Sequence, residues 1–253
     1  MTLKRSGKSV ENSPLGNEKP GTGAGRNLNE LAHNKLEELI VTCVLKPGSY
    51  LRIQDLQTLT GINRTPVHQA VTRLSSDTLM IIQPRQGIQI APIDLTRSHL
   101  LLQLRRDMER FVVALASERA SSSSRRQMRH LIGLLSAHRN EMTIVEFNEF
   151  DRRIDQMMLA ACGEPFLEYT LRPLHTIFRR LGWIYHTQTG HGANLDKTID
   201  SHLDVLNAVV AGKKDEALVA SDKLIEFVDA MFPVLESEVA PIVFDATQDF
   251  DPF

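Results

Sequence analysis

Three groups of side chains in this chain of 253 residues have the types and spacing to do chemistry. The first opens a helical run that ends near Leu74: Arg64 and Thr65, then His68 one turn on. An arginine can set two parallel hydrogen bonds on guanine O6 and N7, and a threonine can bond a phosphate or touch a thymine methyl. Further on, Arg85, Gln86 and Gly87 put a cation beside a residue with no side chain, which suits close approach to a nucleic-acid backbone or minor groove. The second group is Asp151 and Asp155, four residues apart and so on one helix face, where two carboxylates could do acid–base work. The third is Trp183 with Tyr185, rings that could stack on a flat ligand or simply fill a core. No G-x-S-x-G, H-E-x-x-H, P-loop or dinucleotide fingerprint accompanies them, so nothing points to an enzyme.

The elements around the first group follow from periodicity. From Leu28, the residues Leu31, Leu36, Leu39, Ile40 and Val44 recur at helical spacing until Pro47-Gly48 stops them. Ile53, Leu56 and Leu59 predict a short second helix closed by Gly61. Asn63 predicts the N-cap of a third, with Pro66 in the first turn, Val67, Val71 and Leu74 inward, and Ala70 small enough for close packing. Residues 78–83 (TLMIIQ) and 87–91 (GIQIA) flank Pro84-Arg85-Gln86 as a β-hairpin with a polar tip. This order predicts a winged helix-turn-helix over residues 28–93. Such a fold carries Arg64, Thr65 and His68 into the major groove and Arg85 to Gly87 at the tip of the wing.

After Pro92 the pattern is helical almost throughout, at 95–120, 122–140, 143–162, 165–187, 195–211 and 214–236. The four serines at 121–124, Gly163-Glu164-Pro165, the stretch 190–194 and Gly212 mark the breaks. The fold class is therefore mainly α, a winged helix-turn-helix followed by an all-α antiparallel helical bundle over 95–237. Residues 1–27, without apolar period, predict a disordered arm; Lys4, Arg5 and Lys8 could touch a DNA backbone there, or the segment is a plain tail. Residues 238–253 predict a loose polar tail.

Composition narrows the class further. With 42% hydrophobic and 24% charged residues the chain reads as globular. No apolar run approaches the roughly 18 residues of a membrane span, and the basic N-terminus has no apolar signal core. Two cysteines, Cys43 and Cys162, cannot build a disulfide framework or a cysteine-rich zinc site, so a reducing cytoplasm is the expected setting. Residues 1–95 carry 11 Lys/Arg against 8 Asp/Glu, while the rest carry 18 against 23. A basic front and an acidic back suggest two modules, the first facing a polyanion.

The first module resembles the GntR family of bacterial regulators. The resemblance rests on PGSYL (47–51), INRTPVHQAVTRL (62–74) and PRQGIQI (84–90), which follow the family run "gvSRTPVREALxRLexeGL" and its wing "xxxrGxxV". Asn63 stands at the family's Ser, His68-Gln69 at its Arg–Glu, and Ser75 to Thr78 at its Glu-x-x-Gly. The resemblance implies contacts to double-stranded DNA from Arg64, Thr65, His68, Arg73, Arg85, Gln86 and Gly87, with altered base preference where His68 replaces a permanent cation. The second module resembles the FCD-type sensor domain of the FadR and VanR branches over roughly 96–236. Leu104 to Glu109 matches "lRxxlE", Asp151 to Asp155 lies at "DxxFH", Ser201 to Leu206 at "eHxxil", and Ala208 to Lys213 at "AixxgD".

That resemblance implies an effector pocket involving Arg105, Asp151, Asp155, Trp183 and His202, with Arg105 either on the effector carboxylate or paired to Glu109. It also implies a divalent metal (Zn, Mn or Ni) on residues 151, 155, 202 and 224. Asp155 replaces a histidine and Leu224 removes a ligand, so that set looks incomplete; His175, His186 and His191 are substitutes with no spacing argument. The function implied is a ligand-responsive repressor that binds a palindromic operator as a homodimer and is released by a small organic acid. The alternatives are a regulator whose second domain only dimerises, or a helical enzyme.

Overall fold

The computed structural model describes residues 22–190 and 194–248. Lys4, Arg5 and Lys8 of the expected arm, His191 and the last five residues lie outside the described residues.

Helix α1 (Thr22–Val41) buries Ala32, Leu36 and Ile40 on a four-residue repeat. It starts ahead of the expected Leu28, because a helix nucleated by a buried run extends through poorer formers at small cost per residue. Two residues of strand β1 (Tyr50–Leu51) then lead into α2 (Ile53–Thr60) and α3 (Arg64–Ser76). The α2 start is fixed by the Arg52 N–H donating to Asp55 Oδ2 at 2.7 Å, and its end by Gly61 in the left-handed region. Strands β2 (Met80–Gln83) and β3 (Gly87–Ile90) form the hairpin, and β1 adds to β3, giving the antiparallel order β1-β3-β2. The β1 pairing of Tyr50 with Gln89 and Leu51 with Ile88 was not anticipated, since two residues carry no readable alternation. Leu36, Ile40, Leu56, Val67, Leu74, Met80 and Ile90 close this first core.

The helical domain has its own core, built from α4 (Leu95–Arg119), α5 (Ser122–His138), α6 (Ile144–Cys162), α7 (Pro165–Gln188), α8 (Asp196–Ala211), α9 (Lys214–Asp229) and α10 (Met231–Glu238). Side-chain caps set several of the starts. Asp94 accepts from the Arg97 N–H, Ser121 from Ser124, and Thr143 with Glu146 forms a reciprocal capping box. Gly163 and Gly212 end α6 and α8 in the left-handed conformation. The single helix expected over 214–236 is two, broken at Ala230, where Pro233 has no N–H to offer the Asp229 carbonyl. No helix among the described residues is long and apolar enough to cross a membrane.

The expected loose tail is docked instead. Helix α11 (Pro241–Phe244) and a 3-10 turn (Ala246–Gln248) return to the first domain, where Ile93 donates to the Phe244 carbonyl and Ala246 to the Pro47 carbonyl, both at 2.8 Å. Burial of Val239 and Phe244 supplies the apolar anchor that average polarity conceals. Gly48 makes the approach possible, since a Cβ there would fall 2.1 Å from Asp245 Oδ1.

A second seam runs along α7. Thr176 donates its hydroxyl to the buried Glu37 carboxylate of α1, Arg180 donates to the Ala91 carbonyl at 2.9 Å, and Arg172 pairs with Asp77 at 3.3 Å. Ile177 packs against the first core. One helix of the bundle therefore holds the winged domain by polar and apolar contacts together.

Candidate functional site

Two surfaces bring chemistry together. On the first domain, Pro66, Val67, Ala70, Val71 and Leu74 turn one face of α3 into the core. The same helical turn then forces Arg64, Thr65 and His68 outward, and all three are exposed. Asn63 sits at the N-cap with extended backbone, but its side chain makes no cap hydrogen bond. The first N–H groups of α3 thus face outward without that cap, beside Arg64 and Thr65. Arg85, at φ 69°, and Gln86 are exposed at the hairpin tip.

Two of the expected residues stand apart. Arg73 lies in the last turn of α3 and donates to Glu30 of α1 at 3.0 Å. Gly87 is required by the fold itself. Its φ is +111°, and a Cβ would sit 2.7 Å from the Leu51 carbonyl oxygen, so the glycine exists to let β1 pair with β3.

In the helical domain a small cavity of about 50 Å³ is walled by Ile144, Phe147, Phe178, Leu224, Phe227, Val228 and Met231. Its polar groups are Arg105, Asn148, Asp151, Arg179 and His202, with His186 and Thr198 to one side. Arg105 pairs with Glu109 and also lines the cavity. Its Nε donates to Glu109 at 3.1 Å, and the guanidinium lines the cavity 5.2 Å from the Phe178 ring centroid. Asp155 lies behind Arg179, off the cavity wall, and Trp183 packs into the core while its neighbours Gly182 and His186 line the cavity. The aromatic rings in place to contact a ligand are therefore Phe147, Phe178 and Phe227, not Trp183.

Behind the wall runs a buried network spanning four helices. Arg179 donates through Nε to Asp151 at 3.0 Å and through a terminal nitrogen to Asp155 at 2.7 Å. His202 Nε2 meets Asp151 at 3.1 Å while its Nδ1 meets the Thr198 carbonyl at 2.7 Å. His175 bridges Glu109 at 2.8 Å and Asp155 at 3.4 Å. Burial alone would raise the Glu109 pKa, but the His175 and Arg105 charges overcome it and hold Glu109 at about 2. Asp151 is likewise depressed: burial opposes ionisation, and the bonds and charges of His202 and Arg179 more than offset it. Asp155 goes the other way, raised by burial and by the Asp151 charge. Both imidazoles are raised, since the facing carboxylates outweigh the burial that would lower them.

Sequence reasoning missed Arg179, named Glu109 only as a partner for Arg105, and named His175 only as a substitute metal ligand. A signal existed: Arg172, His175, Thr176, Arg179 and Arg180 recur at i, i+3, i+4, i+7 and i+8, a polar stripe where a bundle helix should be apolar.

The expected metal set does not fit. Asp151 and Asp155 share a guanidinium between them, both ring nitrogens of His202 are engaged, and Leu224 contributes hydrocarbon. Among the described residues no three His, Cys, Asp or Glu side chains form a group that could hold a metal ion.

Comparison with known proteins identifies the two modules. Residues 28–90 match the model of bacterial regulatory proteins of the gntR family, and residues 100–227 match the FCD domain. The HTH-type transcriptional regulator McbR of Escherichia coli (strain K12) is 27% identical over 115 residues, which is 45% of this chain; the chain thus spans about half (52%) of that relative. The solved structure of E. coli McbR/YncC superposes with a TM-score of 0.71 at 20% identity, covering 81% of this chain and 97% of that one. A GntR transcriptional regulator from Rhodococcus sp. RHA1 gives 0.62 at 13% identity, over 84% and 98% of the two chains. Those relatives are transcriptional regulators and not enzymes, and the family match covers both modules in order: this chain belongs to the GntR family of DNA-binding transcriptional regulators, with an FCD domain behind its winged helix-turn-helix.

Proposed function

We propose that the protein is a ligand-responsive repressor that grips a palindromic operator as a homodimer and loses that grip when a small organic acid enters the helical cavity. The observation that carries this reading is the double duty of α7. His175 and Arg179 on that helix belong to the cavity network, while Thr176, Arg180 and Arg172 hold the winged domain. A ligand that shifts α7 thereby shifts the platform beneath α3, and two such platforms must match the half-site spacing of one duplex. Coupling of about 1–3 kcal/mol would change operator affinity about 5- to 150-fold.

The cavity wall supports an acidic ligand. Arg105 brings a guanidinium to the cavity wall, where it can pair with a ligand carboxylate. Asn148 Nδ2, buried on the cavity wall without a partner, is a donor that a ligand oxygen would satisfy. A homodimer is supported by Leu100, Leu104 and Phe111. These lie on one stripe of α4 and are 65%, 48% and 65% exposed. A monomer in sedimentation equilibrium at micromolar concentration would remove that part of the reading.

DNA reading is assigned to Arg64, Thr65 and His68 on α3, with Arg85 and Gln86 reaching the backbone from the wing. The test is a shift assay on duplexes selected from a random pool. Arg64→Ala should weaken specific binding by about 1–3 kcal/mol and relax the preference at one base position. Unchanged affinity and preference would sink the assignment, and indifference of the wild-type complex to every carboxylic acid offered would sink the ligand response.

A further inference from the structure

The cavity departs from its family pattern in a way that has a physical consequence. The two positions that would offer oxygen to a metal, Asp151 and Asp155, close instead on the forked guanidinium of Arg179, at 3.0 and 2.7 Å. We propose that this guanidinium does the structural work of a divalent cation, so that the cavity is assembled, and meets its ligand, without a metal. The inference rests on the reading of the cavity as the effector site.

Three observations carry it. Arginine supplies a permanent positive charge and a planar fork that matches two carboxylates, and α7 fixes it from within the chain. Both carboxylate partners are thereby bound at hydrogen-bond distance, whereas a zinc ion needs oxygens at about 2.0–2.2 Å and would have to enter against the guanidinium charge. His202, the one intact imidazole of the family set, spends Nε2 on Asp151 and Nδ1 on the Thr198 carbonyl. Leu224 joins Phe227, Val228 and Met231 in an apolar wall where the last ligand would stand. A ligand therefore finds Arg105 and Asn148 set among walls that are largely hydrocarbon. That arrangement selects an acid with one carboxylate and an apolar body over hydroxy acids and dicarboxylates that bind by chelating a metal.

The experiment uses the full chain, purified without metal affinity and treated with chelator. Titration calorimetry with zinc, nickel and manganese salts, metal analysis, and thermal unfolding with and without EDTA are the readouts. We expect no stoichiometric uptake and the same Tm in both conditions. Replacing Arg179→Ala, Asp155→His and Leu224→His together should create zinc or nickel binding at least about 100-fold tighter than the parent's. Should that variant fail to fold, the parent titration alone decides. A stoichiometric metal on the parent that is lost in Asp151→Ala, or a Tm that EDTA lowers, would overturn the proposal. Octanoate and benzoate are then added to chelator-treated protein. A Tm rise of the same size with and without EDTA supports the proposal, and a rise that appears only with added zinc overturns it. No rise with either acid, with metal uptake still absent, counts against the effector reading and leaves the place of Arg179 supported by the metal data.

Discussion

Valine at position 176 would remove one hydroxyl from the seam between the two domains and leave the shape of the side chain intact. Thr176 is 1% exposed and Glu37 8%, so the Glu37 carboxylate would lose its hydroxyl donor where little water can replace it. A hydrogen bond to a charged group contributes about 1.5–3 kcal/mol, and a buried charged acceptor left open costs at least as much. We expect Thr176→Val to destabilise the protein by about 2 kcal/mol. Glu37→Met keeps length and removes the charge, while the Thr176 hydroxyl keeps its second acceptor, the Arg172 carbonyl at 3.2 Å; its cost should be nearer about 1 kcal/mol. The double variant should then lie close to the worse single one, a coupling of about 1 kcal/mol. Urea unfolding at neutral pH measures this, followed by circular dichroism and by the fluorescence of Trp183, the single tryptophan, which sits on the same helix. Coincident transitions license the free energies. If the two single effects add to within about 0.5 kcal/mol, Thr176 and Glu37 do not act on each other and the seam is held by something else.

Two further outcomes follow from the geometry. Glu109 is held at about 2 against an ordinary 4.5, so its contribution to stability is present above pH 4.5 and lost as pH falls toward 2. The full contribution is about 3 kcal/mol, of which roughly 2 should be gone by pH 3; urea midpoints of wild type should fall more steeply over that window than those of Glu109→Gln, and parallel slopes would refute it. Gly87→Ala places a Cβ against the Leu51 carbonyl at a φ that side chains rarely adopt, which should cost about 2–3 kcal/mol and loosen the wing, seen as faster amide exchange in Tyr50–Leu51; wild-type exchange and stability there would show that the backbone yields easily.

Most of the architecture could be read from residue order because local signals and burial agreed. Gly61, Gly163 and Gly212 stand where helices end, and the inward set of α3 determines which side chains face out. The cavity was less legible. Its key contacts join residues 24, 28 and 66 positions apart in the chain, and no periodicity reports which helix a buried arginine will face. Asp151 and His202 were found through resemblance, but that route brought the expectation of a metal with it, and the substitution that answers it, Arg179, lies on a different helix from either. The tail failed for a plainer reason. Its average polarity hid Val239 and Phe244, and two buried residues suffice to dock a short segment when backbone hydrogen bonds complete the contact.

The return of the chain to Gly48 has a mechanical meaning. A sensor hinged to its reader by the 91–95 connection alone could swing in any direction, and little of a small internal displacement would survive the journey. Here the clasp at Pro47, Ile93, Phe244 and Ala246 makes a second attachment beside the α7 seam. A body pinned at two places keeps chiefly the freedom to roll about the line joining them. On the proposed reading, strain that a guest molecule placed on the bundle would be channelled into a torque on the reading head, the motion that would change the angle between two copies on a duplex.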